Sequence, residues 1–139
     1  MPTDPIQINV RDVGLSDRFC HSEDIVASPA AGQETIIASL TLPSNLTYTN
    51  GVLVYGWAAL TVGTDGVSLT LKVRQTSVSG STIVSSGAVT AVATNLRTVS
   101  VSGFDTGPLE GGIYKLTLTV GSGSAASTVS AVQLVAVAI

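Results

Sequence analysis

The sequence predicts an all-β chain: an eight-stranded antiparallel β-sandwich of the jelly-roll type, led by an extended N-terminal arm. Composition is the first observation behind this. Hydrophobic residues make up 45% of the 139 residues, aromatics 4% and charged residues 11%, whereas an ordinary soluble domain is about one-quarter charged. The apolar surplus is Val, Ala, Leu and Ile mixed with Ser, Thr and Gly. Such residues suit a pleated, half-buried surface, and many of them are poor helix formers. The second observation is periodicity. From residue 35 onward, runs of alternating character follow one another at spacings of about 8–15 residues, with turn signals between them. The third is the partition of charge. Residues 1–34 hold Asp4, Arg11, Asp12, Asp17, Arg18, Glu23, Asp24 and Glu34, a net of −4. Residues 35–139 hold Asp65, Lys72, Arg74, Arg97, Asp105, Glu110 and Lys115, a net of +1. The chain therefore divides into a polar arm and linker, residues 1–34, and a single sandwich domain, residues 35–139, long enough to bury a core without disulfides or a metal.

The arm comes first. Pro2 and Pro5 bracket its start, and Ile6, Ile8 and Val10 alternate with Gln7, Asn9 and Arg11. That alternation makes one short strand with no hairpin partner next to it. Too few apolar residues are present for residues 1–28 to fold alone, so ordering waits for a partner to supply contacts. Ile6, Ile8 and Val10 form one apolar face suited to pairing with another part of the molecule or with a sheet edge or groove on a neighbour. The expectation is an extended arm that leaves the body and touches an adjacent subunit or a larger surface. Residues 28–34 read as a loop-like link.

The body is eight strands. Residues 36–42 alternate, with Ile36, Ala38, Leu40 and Leu42 on one side and Ile37, Ser39 and Thr41 on the other. A loop from Pro43 follows, closed by the Asn50-Gly51 turn signal. Residues 52–62 are apolar on both faces: Val52, Val54, Ala58, Leu60 and Val62 on one, Leu53, Tyr55, Trp57 and Ala59 on the other. After a turn at residues 63–66, Val67, Leu69, Leu71 and Val73 oppose Ser68, Thr70, Lys72 and Arg74, so this sheet has one wet face. Short strands at 83–84 and 89–93 follow, and then residues 97–102 with Val99 and Val101 inward. Residues 103–112 read as a loop. Residues 114–120 alternate again, and residues 128–139 close the chain, apolar on both faces. Eight strands with no helical run fit a double-sheet jelly roll.

The two strands without a polar face carry the functional argument. One face meets the core and the other needs something else, for which a neighbouring copy is the economical answer. A low-charge surface agrees with an assembly component. The subunit-interface residues are therefore Leu53, Tyr55, Trp57, Val135 and Val137, expected in a cyclic homotrimer. Arm contacts are assigned to Ile6, Ile8 and Val10.

Other function classes are weighed against their residues. Asp105-Thr106-Gly107 matches the aspartic-protease triplet, which needs two Asp residues sharing a proton, supplied in short chains by dimerisation. Here Ser100, Ser102 and Gly103 precede Phe104, and Pro108 follows the triplet. A loop Asp followed closely by Gly is ordinarily a self-capping turn. Cys20 and His21 are the only Cys and His, too few for structural zinc or a catalytic pair, and they read as a polar stretch of the arm. Asp65 in the 63–66 turn offers one carboxylate where calcium wants six or more oxygens. Asn45-Leu46-Thr47 is a formal glycosylation sequon, without force unless the chain is secreted. With no Lys/Arg cluster, nucleic-acid binding is not expected, and no apolar stretch is long enough for a membrane helix. The lack of a signal-peptide pattern leads to an expectation of cytoplasmic synthesis. No catalytic, cofactor or metal residue is assigned.

From residue 52 onward the order of motifs resembles a known group. An apolar strand ends at Gly63-Thr64-Asp65-Gly66; then come the alternating run from Val67 to Arg74, a Ser/Gly turn and Val99-Ser100-Val101-Ser102-Gly103-Phe104. The runs 112–120 and 127–134 complete it. The pattern is similar to the small trimeric jelly-roll proteins of tailed-phage virions, chiefly capsid decoration proteins and related fibre heads. The resemblance covers roughly the last 90 residues, by strand signals. It implies a non-enzymatic homotrimer on the outer shell of a virion, bound to the major capsid protein or neighbouring virion subunits and stabilising them. The alternative is a receptor-binding or fibre-head recognition module.

Overall fold

In the computed structural model, residues 18–21, 29–42, 50–108, 112–123 and 127–139 are described, the first four as backbone alone. Among them are nine strands: β1 (Arg18–His21), β2 (Glu34–Thr41), β3 (Val52–Val62), β4 (Val67–Gln75), β5 (Thr82–Ser85), β6 (Val89–Ala91), β7 (Arg97–Asp105), β8 (Ile113–Val120) and β9 (Ser127–Ala138). They form two antiparallel sheets. One has the order β1-β9-β3-β7; the other has the order β2-β8-β4-β5, with β6 also on β4. The chain is a jelly-roll sandwich, and β2 to β9 answer one for one to the eight strands read from the sequence.

The core lies between the sheets and follows the predicted alternation. Val52, Val54, Ala58 and Leu60 of β3 are fully buried, facing Leu69, Leu71 and Val73 of β4 and Leu116, Leu118 and Val120 of β8 across the layer. Branched aliphatic side chains dominate, so the layer is thin and tightly filled. Gly56 shows how tightly: a Cβ placed there would fall 2.6 Å from Leu116 Cδ1.

Three local readings change. In β2 the ladder with β8 slips between Ile36 and Ala38. Ile37 is therefore buried and Ile36 half-buried, the reverse of the simple alternation. The irregularity changes the parity at that point, so Ile37 joins Ala38, Leu40 and Leu42 on the buried side and Ile36 does not. A second shift, between Ala59 and Leu60 of β3, lets both Val129 and Val132 of β9 point inward. Finally, β7 runs to Asp105, three residues beyond its expected end. The pairing of Phe104 with Leu53 and of Asp105 with Val52 holds what reads in sequence as loop.

The arm also differs from expectation. The sequence takes residues 1–28 off the body, but Arg18–His21 pair with Val137–Leu134 of β9. Strand β9 runs the length of the sheet, and without β1 its outer backbone groups would be unpaired along this stretch. Cys20 and His21 thus occupy strand positions opposite Val135 and Leu134. Ile6, Ile8 and Val10 lie outside the described residues, as do Asn45 and Tyr48. Past the arm the chain crosses to the second sheet, where Pro29 is buried and Gly32 N–H donates to Val120 O at 2.7 Å.

The start of β3 is fixed at Gly51. Its amide donates to Ile139 O and its carbonyl accepts from Ile139 N–H at 2.9 Å. Its φ is +144°, and a Cβ there would sit 2.3 Å from Asp105 O. Glycine is required here by both backbone angle and space.

Candidate functional site

Strand pairing sets the outward face of the β1-β9-β3-β7 sheet. Residues directly opposite each other on neighbouring strands share a face. Val137, Leu53 and Phe104 form one row, Val135, Tyr55 and Ser102 the next, and Gln133, Trp57 and Ser100 the third. A fourth row is small: Ala131, Ala59 and Thr98. All five residues assigned to an interface from sequence thus lie in three adjacent rows of one face. Leu53 is 39% exposed, and Tyr55 and Phe104 are each 42% exposed. Trp57, Val135 and Val137 are half-buried.

Phe104 was missed by the sequence reading, and so was Gln133. The signal for Phe104 was present: Ser100, Ser102 and Phe104 continue the outward parity set by Val99 and Val101. Assigning Gly103 to a loop hid it. Gln133 could not be found without the register, because its role comes from lying opposite Trp57. Trp57 Nε1–H donates to Gln133 Oε1 at 3.2 Å. That bond satisfies the indole and holds it against the sheet, so the chain's own contacts order the centre of the face.

The rows can bury apolar area, stack on a flat ligand, or donate and accept hydrogen bonds through the hydroxyls of Ser100 and Ser102. Among the described side chains these rows hold no carboxylate, amine or thiol, and at the β1 edge the backbone of Cys20 pairs opposite Val135. Leu53, Tyr55 and Phe104 thus leave apolar surface exposed on neighbouring strands of one face.

The opposite outward face is polar. Glu34, at the start of β2, accepts two hydrogen bonds from Arg74, one from Nε and one from Nη2, the latter at 2.9 Å. Thr117 Oγ1 donates to it at 2.7 Å, and Lys72 Nζ lies 4.0 Å away. The Arg74 bond, chiefly, holds the Glu34 carboxyl below its ordinary value of 4.5, with Thr117 and the nearby cationic charges assisting against desolvation. The same pairing raises Arg74. Arg74 Nη1 also donates to Gly80 O and Thr82 Oγ1, so the cluster joins β2, β4, the β4–β5 turn and β5. Lys115 donates to Ser39 Oγ. This is a bracing network across a wet sheet.

The carboxylates considered for chemistry serve the fold. Asp105 Oδ1 accepts Gly107 N–H at 3.0 Å, the self-capping turn expected of Asp-Thr-Gly. It does more than the sequence suggests, because it is only 8% exposed. Its Oδ2 accepts from Tyr114 Oη at 2.7 Å and Gln75 Nε2 at 3.1 Å. The carboxylate on one sheet is therefore tied to β4 and β8 on the other. Asp65 Oδ1 accepts Ala93 N–H at 2.6 Å, pinning the β3–β4 turn to the turn after β6. Among the described residues, no three His, Cys, Asp or Glu side chains are grouped so as to hold a metal ion.

No protein-family model matches the sequence, and a search of curated proteins gives no match. Solved structures do. The infectious bursal disease virus Gx strain structure is 14% identical with a TM-score of 0.53, covering 86% of this chain and 31% of that one. The infectious bursal disease virus VP2 subviral particle is 10% identical with a TM-score of 0.55, covering 87% and 33%. Eiger TNF from S. frugiperda is 10% identical with a TM-score of 0.55, covering 88% and 91%. The chain thus spans about a third of the viral chains and nearly all of the Eiger chain. The likeness is one of fold: the chain is a jelly roll of the kind found in virus particles and in a TNF-type protein.

Proposed function

We propose that this chain is a non-enzymatic structural protein of a virion, a decoration protein that sits on the outer shell as a homotrimer and stabilises it. The apolar outward face of the β1-β9-β3-β7 sheet carries the reading. A jelly roll presenting Leu53, Tyr55, Phe104, Val135 and Val137 to solvent is built to be covered, and copies of itself can cover it around a threefold axis. The polar face and the loops are then left for the major capsid protein or neighbouring virion subunits. Virus particles are among the places where this fold is found, which supports the location. No catalytic step is assigned: among the described residues the side-chain carboxylates of Glu34, Asp65 and Asp105 are each engaged in a turn or a brace.

Particle association tests this. Mass spectrometry of purified particles from the source virus should recover the chain in stoichiometric amount, and added protein should co-sediment with stripped shells. Absence from particles together with no co-sedimentation would overturn the reading.

A second reading, a receptor-binding or fibre-head recognition module, has one observation in its favour. Tyr55, Trp57 and Phe104 share the outward face with Ser100, Ser102 and Gln133, an aromatic platform with polar edges on which a sugar ring could stack. Glycan binding that quenches Trp57 fluorescence in a monomeric protein would favour it over the trimer.

A further inference from the structure

The first sheet ends at β1 on one side and β7 on the other. Among the described residues β7 is paired only by β3, so within that set the far edge of its nine residues has no strand partner. Val84 of β5, in the other sheet, packs across the sandwich under one end of β7, since a Cβ on inward-facing Gly103 would fall 2.6 Å from Val84 Cβ. Toward Arg97 this packing changes. β6 pairs with β4 and makes no comparable approach to β7. There Val89 is half-buried against the core, while Val92 and Leu96 are 55% and 64% exposed, the most exposed of the large hydrophobic residues described. The turn bearing them is braced by Thr94 N–H on Val62 O at 2.9 Å and by the Asp65 bond to Ala93. Among the described residues, an unpartnered strand edge thus leads at Arg97 into an exposed apolar turn held in fixed shape.

We propose that residues 6–10 of a neighbouring copy add to this edge as a strand, setting Ile6, Ile8 and Val10 against the apolar turn and Gln7 and Asn9 toward solvent. The proposal rests on the cyclic-trimer reading. In a cyclic assembly the interface is heterologous, so one edge of a protomer meets a different surface of the next. The arm enters the sheet at β1, the edge opposite β7, three strand spacings or roughly 14 Å away. Arg18 pairs with Val137, so the preceding residues start from the end of the sheet and not from its middle. Residues 11–17 can span up to about 25 Å when extended, enough to reach an adjacent protomer. Reaching β7 of the same chain would take them across Leu53, Tyr55 and Trp57, the face the trimer buries.

A photo-cross-linking residue, p-benzoylphenylalanine, in place of Ile8 in the full-length protein tests this, with light scattering on the same sample. The expected result is a trimer in which irradiation links two chains, with the bond mapped to residues 89–101. Deleting residues 1–10 should then raise amide exchange in β7 by about tenfold or more while β3 and β9 stay protected. A trimer whose links stay within one chain, or that forms none at residues 89–101, overturns the arm exchange and leaves the trimer standing. A monomer overturns both.

Discussion

Asp105 looks in sequence like a turn residue whose replacement by Ala would merely loosen a loop. Its burial and its bonds to Tyr114 and Gln75 change that expectation. Removing an acceptor from buried donors costs about 1–3 kcal/mol. Asp105→Ala should lower unfolding stability by that amount in urea titration, and Asp105→Asn, which keeps a carbonyl oxygen, should cost less. Neither substitution should create or abolish peptide cleavage if the chain is non-enzymatic. Glu34 gives the pH dependence. Its pKa is lowered on folding, so its contribution is fully present above the ordinary value of 4.5 and is lost as pH falls through the folded-state value. The melting temperature should therefore drop below about pH 4.5. Glu34→Gln should be less stable at neutral pH by about 1–2 kcal/mol, and its own melting temperature should fall less on acidification.

At the scale of elements, alternation was enough to place the eight body strands and the inward residues of β3, β4 and β8. Period two survives in sequence because one face of each strand meets the core. What alternation could not show was the bulge in β2 or the shift at Ala59 and Leu60. Each depends on the partner strand, and a partner far away in sequence leaves no local trace. The same reason hid Gln133, whose role exists only opposite Trp57. The four-residue β1 was equally hidden, since its pairing with β9 spans nearly the whole chain. The closeness of the sheets adds one expectation. Gly56→Ala should destabilise by about 1–3 kcal/mol through overpacking on Leu116, and Leu116→Val should recover part of that loss when combined with it.

At the scale of the molecule, the sandwich has two unlike outward faces. One is tied together by Glu34, Arg74, Thr117 and Lys72 and is content in water. The other sets Leu53, Tyr55 and Phe104 in solvent around the Trp57–Gln133 pair. That asymmetry was already visible in the two strands lacking a polar face, and it is the reason for reading the chain as part of an assembly. What the sequence could not supply was the grading along the face, from bulky rows at Val137–Leu53–Phe104 to small ones at Ala131–Ala59–Thr98. The central claim is that this face joins copies of the chain, and multi-angle light scattering at micromolar concentration tests it most directly. The account predicts a native mass three times the 14.0 kDa chain, reduced to one chain by Leu53→Asp combined with Tyr55→Asp while the circular dichroism stays that of a β-sandwich. A native protein that scatters as a single chain, with Tyr55 and Leu53 open to solvent, would contradict it.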